Sequence, residues 1–215
     1  MSDDKKQKSL WNPANIVSTI RIVLIPVFIF LLLGPWPTWF PNPWIAQLLK
    51  PWIAAGVFTL LAMTDGLDGY LARSRNEVTN LGKFLDPLAD KILVTAALLA
   101  LIELGKLPAW VALIIIGRDF LVSGLRMVAS AENQVIAASK IGKSKTVFQI
   151  IAVIMFIIYD SVQIESLGDQ FALIAAILSW MVMVIALVLT LLSMVDYFSK
   201  SSSVLGLPLN SKKRK

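Results

Sequence analysis

The sequence predicts an all-α, polytopic membrane protein with six transmembrane helices and a polar cavity open to the cytoplasmic side. Three observations carry this reading. Of 215 residues, 57% are hydrophobic and only 16% charged, against about 25% charged in an ordinary soluble domain. Several apolar stretches approach or exceed the ~20 residues a helix needs to cross the hydrocarbon layer. The segments between them are short and hold either turn-forming Pro and Gly or clustered Lys and Arg.

Taken in order, the spans fall at 13–34, 44–72, 82–104, 108–130, 142–160 and 170–197. The first follows a charged segment, MSDDKKQKSL, and contains Arg21 and Pro26 with no small-residue cleavage site at its end, so it reads as a retained helix and not a signal peptide. GPWPTWFPNP at 34–43 is a proline-rich turn, and Trp36, Trp39, Trp44 and Trp52 read as an interfacial belt. Leu104 to Pro108 makes a tight second outer turn and Asp160 to Asp169 the third. Trp180, Met181, Met183 and Met194 in the last span sit among Ile, Leu and Val with no polar stripe, which predicts lipid contact or helix packing. Residues 1–215 form a single domain, with 1–12 as a cytoplasmic segment and 198–215, ending LNSKKRK, as a basic cytoplasmic tail touching anionic lipid.

Charge sets the orientation. With an even number of spans, the segments 1–12, 73–83, 126–145 and 198–215 share one side and hold fifteen Lys and Arg, whereas the other side holds only Lys50 and Lys106. Basic residues stay on the cytoplasmic face, so both termini are expected there. Arg21, Asp65, Asp68, Asp86, Asp90, Arg118, Arg126, Lys143 and Lys145 all fall toward the inner ends of their spans. Ionised groups at membrane depth cost several kcal/mol unless they face the bundle interior or water. Their gathering at one leaflet is what predicts the cavity.

Composition also excludes chemistries. There is no Cys and no His, so thiolate nucleophiles, disulfides and zinc-thiolate sites are absent, and so is the usual general base. Acid–base and metal chemistry falls to Asp, Glu, Lys, Arg or water. The net charge of +6 flanks apolar spans and forms no separate basic domain, which points to anionic lipid and phosphate substrates and away from nucleic acid.

In the segment DGLDGYLAR, Asp65, Asp68, Gly69 and Ala72 stand at i, i+3, i+4 and i+7, one face of a helix. Gly82, Asp86 and Asp90 follow at i, i+4 and i+8. Two antiparallel helices thus present four carboxylates to each other. Such acids repel unless neutralised, and an all-oxygen donor set suits two divalent cations, Mg²⁺ or Mn²⁺. Ion pairing with Arg73, Lys83, Lys91 and Arg118 is the plain alternative for any one of them. For four on facing stripes it is the weaker reading, because apolar residues would fill a structural role at less cost.

Asp65-x-x-Asp68-Gly69-x-x-Ala72-Arg73, eight residues, then Gly82-x-x-x-Asp86-x-x-x-Asp90 resembles the full signature of the CDP-alcohol phosphotransferase family. The resemblance implies a six-helix membrane fold, a homodimer, and two divalent cations shared by the acids. It implies Asp65, Asp68, Asp86 and Asp90 as metal ligands, Asp90 also as the catalytic base, and Gly69, Ala72, Arg73 and Gly82 lining the CDP end of the donor. Within the family, NIVSTIRIVLIP (15–26), FLDPLADK (84–91), GRDFLVSGLR (117–126) and IGKSKTVFQ (141–149) are similar to bacterial phosphatidylglycerophosphate synthases, with Ser18 where Thr is more usual. That similarity implies CDP-diacylglycerol and glycerol 3-phosphate as substrates, in an inner membrane whose lipids surround the enzyme.

The remaining polar residues have readings of their own. Arg118, Arg126, Lys143 and Lys145 offer cationic donors to an acceptor phosphate, or equally, for the lysines, positive-inside anchoring. Asp119 pairs with Arg118 only if both turn from lipid. Asn15 and Ser18, with Arg21 at i+6, reach toward a donor head group or serve as helix caps and packing contacts. Serine, inositol phosphate or another phosphatidyl lipid stays open as acceptor. A cation channel is disfavoured, since the last two spans lack matching acids.

Overall fold

The computed structural model describes residues 13–35, 42–75, 80–131 and 140–201; the side chains of 13–18, 43–44, 65–75, 80–90, 130–131, 140–141, 143 and 200–201 lie outside that description. The elements are α1 (Pro13–Leu33), α2 (Pro43–Arg75), α3 (Asn80–Glu103), α4 (Ala109–Ala131), α5 (Lys140–Ile158), α6 (Val162–Ser166) and α7 (Asp169–Ser201). No strand occurs among the described residues. The six long helices follow the six expected apolar segments to within a few residues at each end. The third turn differs from expectation, because the chain folds a short helix, α6, between α5 and α7. Val162–Ser166 is a single turn of mostly polar residues, too short to leave a hydropathy signal.

Much of the molecule's surface is apolar. Ile45–Thr64 and Asp169–Ser199 are each long and apolar enough to cross a membrane, and only 28% and 22% of their most apolar windows are buried within the protein. A core helix of a soluble protein would be mostly covered. Leu60, Leu113, Met127 and Val195 are among many large apolar side chains left outside, far more than a water-facing surface tolerates in contiguous patches. The protein is therefore an all-helical membrane protein. Pro26 and Pro51 lie inside helices, α1 and α2, as membrane helices permit when neighbours satisfy the freed backbone.

The chain divides into two compact units. The first contains α1, α2 and α3 with Ser161–Gln163. On α1, Arg21, Ile25, Phe28 and Leu32 recur at i, i+4, i+7 and i+11 and are all buried, the stripe a helix turns toward its neighbours. α1 packs on both α2 and α3. Phe28 meets Phe58 of α2 with ring centroids 5.5 Å apart, and Lys50 Nζ donates to the carbonyl of Gly34 at 3.0 Å, satisfying a backbone acceptor just past the end of α1. The two contacts pair 28 with 58 and 34 with 50, so α1 and α2 run antiparallel.

The second unit contains Gly105–Asp160 and the chain from Ile164 onward, hence α4, α5 and α7. Gly105, at φ +69°, carries the chain from α3 into α4 in the left-handed region that favours glycine. Lys106 Nζ donates to Asp160 at 2.5 Å and to the carbonyl of Ile157 at 3.3 Å, tying the start of α4 to the end of α5. α7 packs against both α5 and α4. Its inward stripe is Ser179, Met183, Ala186, Thr190, Ser193 and Tyr197, all buried. The expectation that the last span lacks a polar stripe is therefore wrong. Ser179 and Thr190 donate to the carbonyls of Ala175 and Ala186 at 2.8 and 2.6 Å, so these hydroxyls are satisfied within their own helix and sit unnoticed among apolar neighbours.

Filling the α1–α2 seam should matter more than covering the outer surface. Phe58 is fully buried and Phe30 is 60% exposed. Phe58→Ala should lower stability by roughly 3 kcal/mol or more, read as thermal unfolding in detergent, while Phe30→Ala leaves the midpoint close to that of the parent.

Candidate active site

The acidic motif lies on two packed helices of the first unit. Asp65, Asp68, Gly69, Ala72 and Arg73 occupy the last three turns of α2, and Gly82, Asp86 and Asp90 the first three turns of α3. Both stretches are continuous helix, so the sequence spacings translate into single-face registers, and α2 and α3 are in contact. The side chains of all these residues, and of Asn15 and Ser18 on the first two turns of α1, lie outside the described residues. Among the described residues no other cluster of acids forms a metal-binding group. Arg21 is described: it is 1% exposed and is the largest fully buried side chain among the described residues. A guanidinium so enclosed requires polar surroundings, which locates polarity at the N-terminal half of α1.

The basic residues belong to the second unit and are organised around one carboxylate. Asp119 Oδ1 accepts from Arg118 Nη1 at 3.0 Å and from Lys145 Nζ at contact distance. The Arg118 and Lys145 side chains are 10% and 3% exposed and that of Asp119 is 22% exposed. The pairing of Arg118 with Asp119, expected only if both turned from lipid, is therefore present, and Lys145 joins it. Lys106 with Asp160 and Lys145 with Asp119 together set α4 and α5 antiparallel. Lys143 lies on the first turn of α5, with its side chain outside the described residues.

α7 completes the arrangement with residues that sequence reasoning missed. Arg118 Nη2 donates to Ser193 Oγ at 2.6 Å, and Arg126 Nη2 donates to Tyr197 Oη at 2.6 Å. The Arg126 guanidinium also lies 5.6 Å from the Tyr197 ring centroid, within reach of a cation–π attraction. Gln149, one turn beyond Lys145 on the same face of α5, is 2% exposed. Its Nε2, like Arg118 Nε, is a buried donor without a hydrogen-bond partner. Such donors are uncommon, because each carries a desolvation penalty of about 1–3 kcal/mol.

The first unit thus carries the four aspartates of the motif on α2 and α3, and the second brings Arg118 and Lys145 to Asp119. The family model described as CDP-alcohol phosphatidyltransferase matches residues 11–195, and the chain belongs to that family. It is 39% identical over 193 residues to the CDP-diacylglycerol–glycerol-3-phosphate 3-phosphatidyltransferase of Bacillus subtilis (strain 168), covering 89% of this chain and 96% of that protein. The protein of the same name in Shigella flexneri is 34% identical over 194 residues, covering 88% and 94%. A probable phosphatidylglycerophosphate synthase of Mycobacterium tuberculosis (strain ATCC 25618 / H37Rv) is 34% identical over 195 residues, covering 91% and 84%.

Removing the shared carboxylate should expose the cost of the buried cations. Asp119→Ala removes the acid that Lys145 and Arg118 share and should destabilise the protein by about 3–5 kcal/mol. Adding Lys145→Met should restore part of that loss, because one buried charge goes with it. Chemical unfolding in detergent checks both, and parent-like stability of Asp119→Ala would contradict the pairing.

Proposed function

We propose that this chain transfers the phosphatidyl group of CDP-diacylglycerol to sn-glycerol 3-phosphate, giving phosphatidylglycerol phosphate and CMP. The observation that carries the proposal is the acidic signature laid out on α2 and α3, in a chain so similar over most of its length to proteins bearing that activity's name.

The donor set fits divalent cations. α2 and α3 are in contact and bring four carboxylates in helical register, an oxygen-only set of the kind Mg²⁺ and Mn²⁺ prefer. Asp65, Asp68, Asp86 and Asp90 would hold two such ions, which supply charge neutralisation at the donor pyrophosphate and a better-stabilised CMP leaving group. Gly69, Ala72 and Gly82 keep the adjacent helix surface small where the cytidine end approaches, and Arg73 pairs with donor phosphate. Asn15 and Ser18 contact the donor from α1.

Asp90 takes the proton of the acceptor's primary hydroxyl. The freed oxygen forms a bond to the β-phosphorus of the donor, the bond from that phosphorus to the bridging oxygen breaks, and CMP departs with the electron pair. An aspartate of ordinary pKa near ~3.9 is a weak base, so its contribution comes from position. With no His in the chain, no better base competes for the role.

The acceptor's phosphate is held by Arg118, Arg126, Lys143 and Lys145. Arg118 and Lys145 meet at Asp119 and Arg126 lies at Tyr197, and guanidinium and ammonium groups of this kind complement a phosphate monoester of roughly −1.5 to −2. Glycerol 3-phosphate carries such a group and serine does not. The enzyme works as a homodimer in the inner membrane of a bacterium, with six spans, both termini cytoplasmic and the polar cavity open to the cytoplasm.

An acceptor panel tests the reaction. Purified protein with CDP-diacylglycerol and Mg²⁺ or Mn²⁺ should release CMP with glycerol 3-phosphate in clear preference to serine, inositol phosphate or glycerol. Asp65→Ala, Asp68→Ala, Asp86→Ala and Asp90→Ala should each lower that rate by about a hundredfold or more, and chelation should abolish it. Equal turnover of serine, or full activity in any of the four variants, contradicts the proposal. For orientation, cysteines introduced at 212–215 should resist a membrane-impermeant thiol reagent in intact cells and react after lysis. Labelling from outside would reverse the topology.

A further inference from the structure

We infer that Ser193 and Tyr197 of α7 are positioning residues for the acceptor's phosphate, holding the two arginines of α4 in the geometry that phosphate recognition needs. This rests on the assignment of Arg118, Arg126 and Lys145 to the acceptor site.

The hydroxyls stand one helical turn apart on the buried stripe of α7. Ser193 Oγ donates to the carbonyl of Thr190 at 3.0 Å, so its proton is committed and its lone pairs face Arg118. Arg118 is then held at two corners, Nη1 by Asp119 and Nη2 by Ser193. Its Nε remains buried and unpartnered. A guanidinium fixed at two nitrogens keeps its plane and its remaining N–H groups in a set orientation, which is what planar recognition of phosphate oxygens requires.

Tyr197 acts on a more mobile partner. Arg126 is exposed, and a free arginine side chain gives up rotamer entropy when an anion immobilises it. The hydroxyl bond at 2.6 Å and the ring beneath the guanidinium restrain it beforehand. Register adds a further element. Arg118 and Arg126 are eight residues apart, about 12 Å along α4, whereas Ser193 and Tyr197 are four apart, about 6 Å along α7. Binding to the hydroxyls draws the two guanidiniums toward each other, as a single phosphate between them would demand. Pre-ordering of this kind lowers the cost of binding without touching the ligand.

Were the hydroxyls only packing elements, Ala and Phe would serve as well. Steady-state kinetics on the full-length protein in detergent–lipid micelles, at fixed metal concentration, separates the two roles. Ser193→Ala and Tyr197→Phe should each raise KM for glycerol 3-phosphate about three- to tenfold, leaving KM for CDP-diacylglycerol and kcat at saturating acceptor within about twofold of the parent. Ser193→Thr, which keeps the hydroxyl, should restore the parent KM. Unchanged acceptor KM in both deletion variants, parallel increases for both substrates, or no rescue by Thr would overturn the inference. Arg118→Gln and Lys145→Gln serve as the reference. If they raise acceptor KM while the hydroxyl variants do not, the acceptor site stands and the positioning role fails. If they leave it unchanged, the acceptor site fails and the positioning role with it.

Discussion

An ammonium group whose side chain is 3% exposed is tolerable in a helix bundle only with a carboxylate in contact, and the second unit of this protein is organised around meeting that need. Lys145 finds Asp119, and Asp119 also takes Arg118. The consequences spread through the unit. The pairing fixes α5 against α4, and Arg118, held on one side by Asp119, turns its other terminal nitrogen to Ser193 of α7. Three helices are joined through one carboxylate and one guanidinium. Arg126 reaches the same helix, α7, at Tyr197.

The two units divide the electrostatic labour. The first carries its acids at the end of α2 and the start of α3, which on the proposed reading hold cations and through them a pyrophosphate. The second carries its bases on α4 and α5, which on the same reading meet a free phosphate monoester. A transferase with a negatively charged donor and a negatively charged acceptor must overcome repulsion twice. Carboxylates alone would repel the acceptor, and lysines alone would neutralise the acids needed to hold metal. With the two sets on separate helices, the proposed reading gives each substrate charge of the sign it requires.

Most of the fold was legible in the sequence because each long helix is an apolar run bounded by proline, glycine or charge. Leu104 to Pro108 marks the turn that Gly105 makes, and the spacing of Asp65, Asp68, Asp86 and Asp90 declares helical registers before any coordinates. α6 was not legible, since five mostly polar residues leave no periodicity. Nor was the polar stripe of α7. Ser179 and Thr190 bond to their own helix, so in sequence they look like occasional hydroxyls in a lipid-facing span. Ser193 and Tyr197 acquire meaning only from arginines more than seventy residues earlier in the chain. The basic residues were legible as a group, whereas their partners were not. Asp119 adjoins Arg118 in sequence, but its choice of Lys145 depends on how α5 returns along α4. Gln149 followed Lys145 by one turn, a signal available in the sequence and visible only once burial showed its amide enclosed.

This chain joins a phosphatidyl group to an acceptor that keeps its own phosphate. The most direct test is to supply purified protein with CDP-diacylglycerol and glycerol 3-phosphate bearing radioactive phosphorus, and to compare label in the organic phase with CMP released. Labelled lipid and CMP should appear in equal amounts, with the label carried as a terminal phosphate monoester. CMP released without labelled lipid would contradict it.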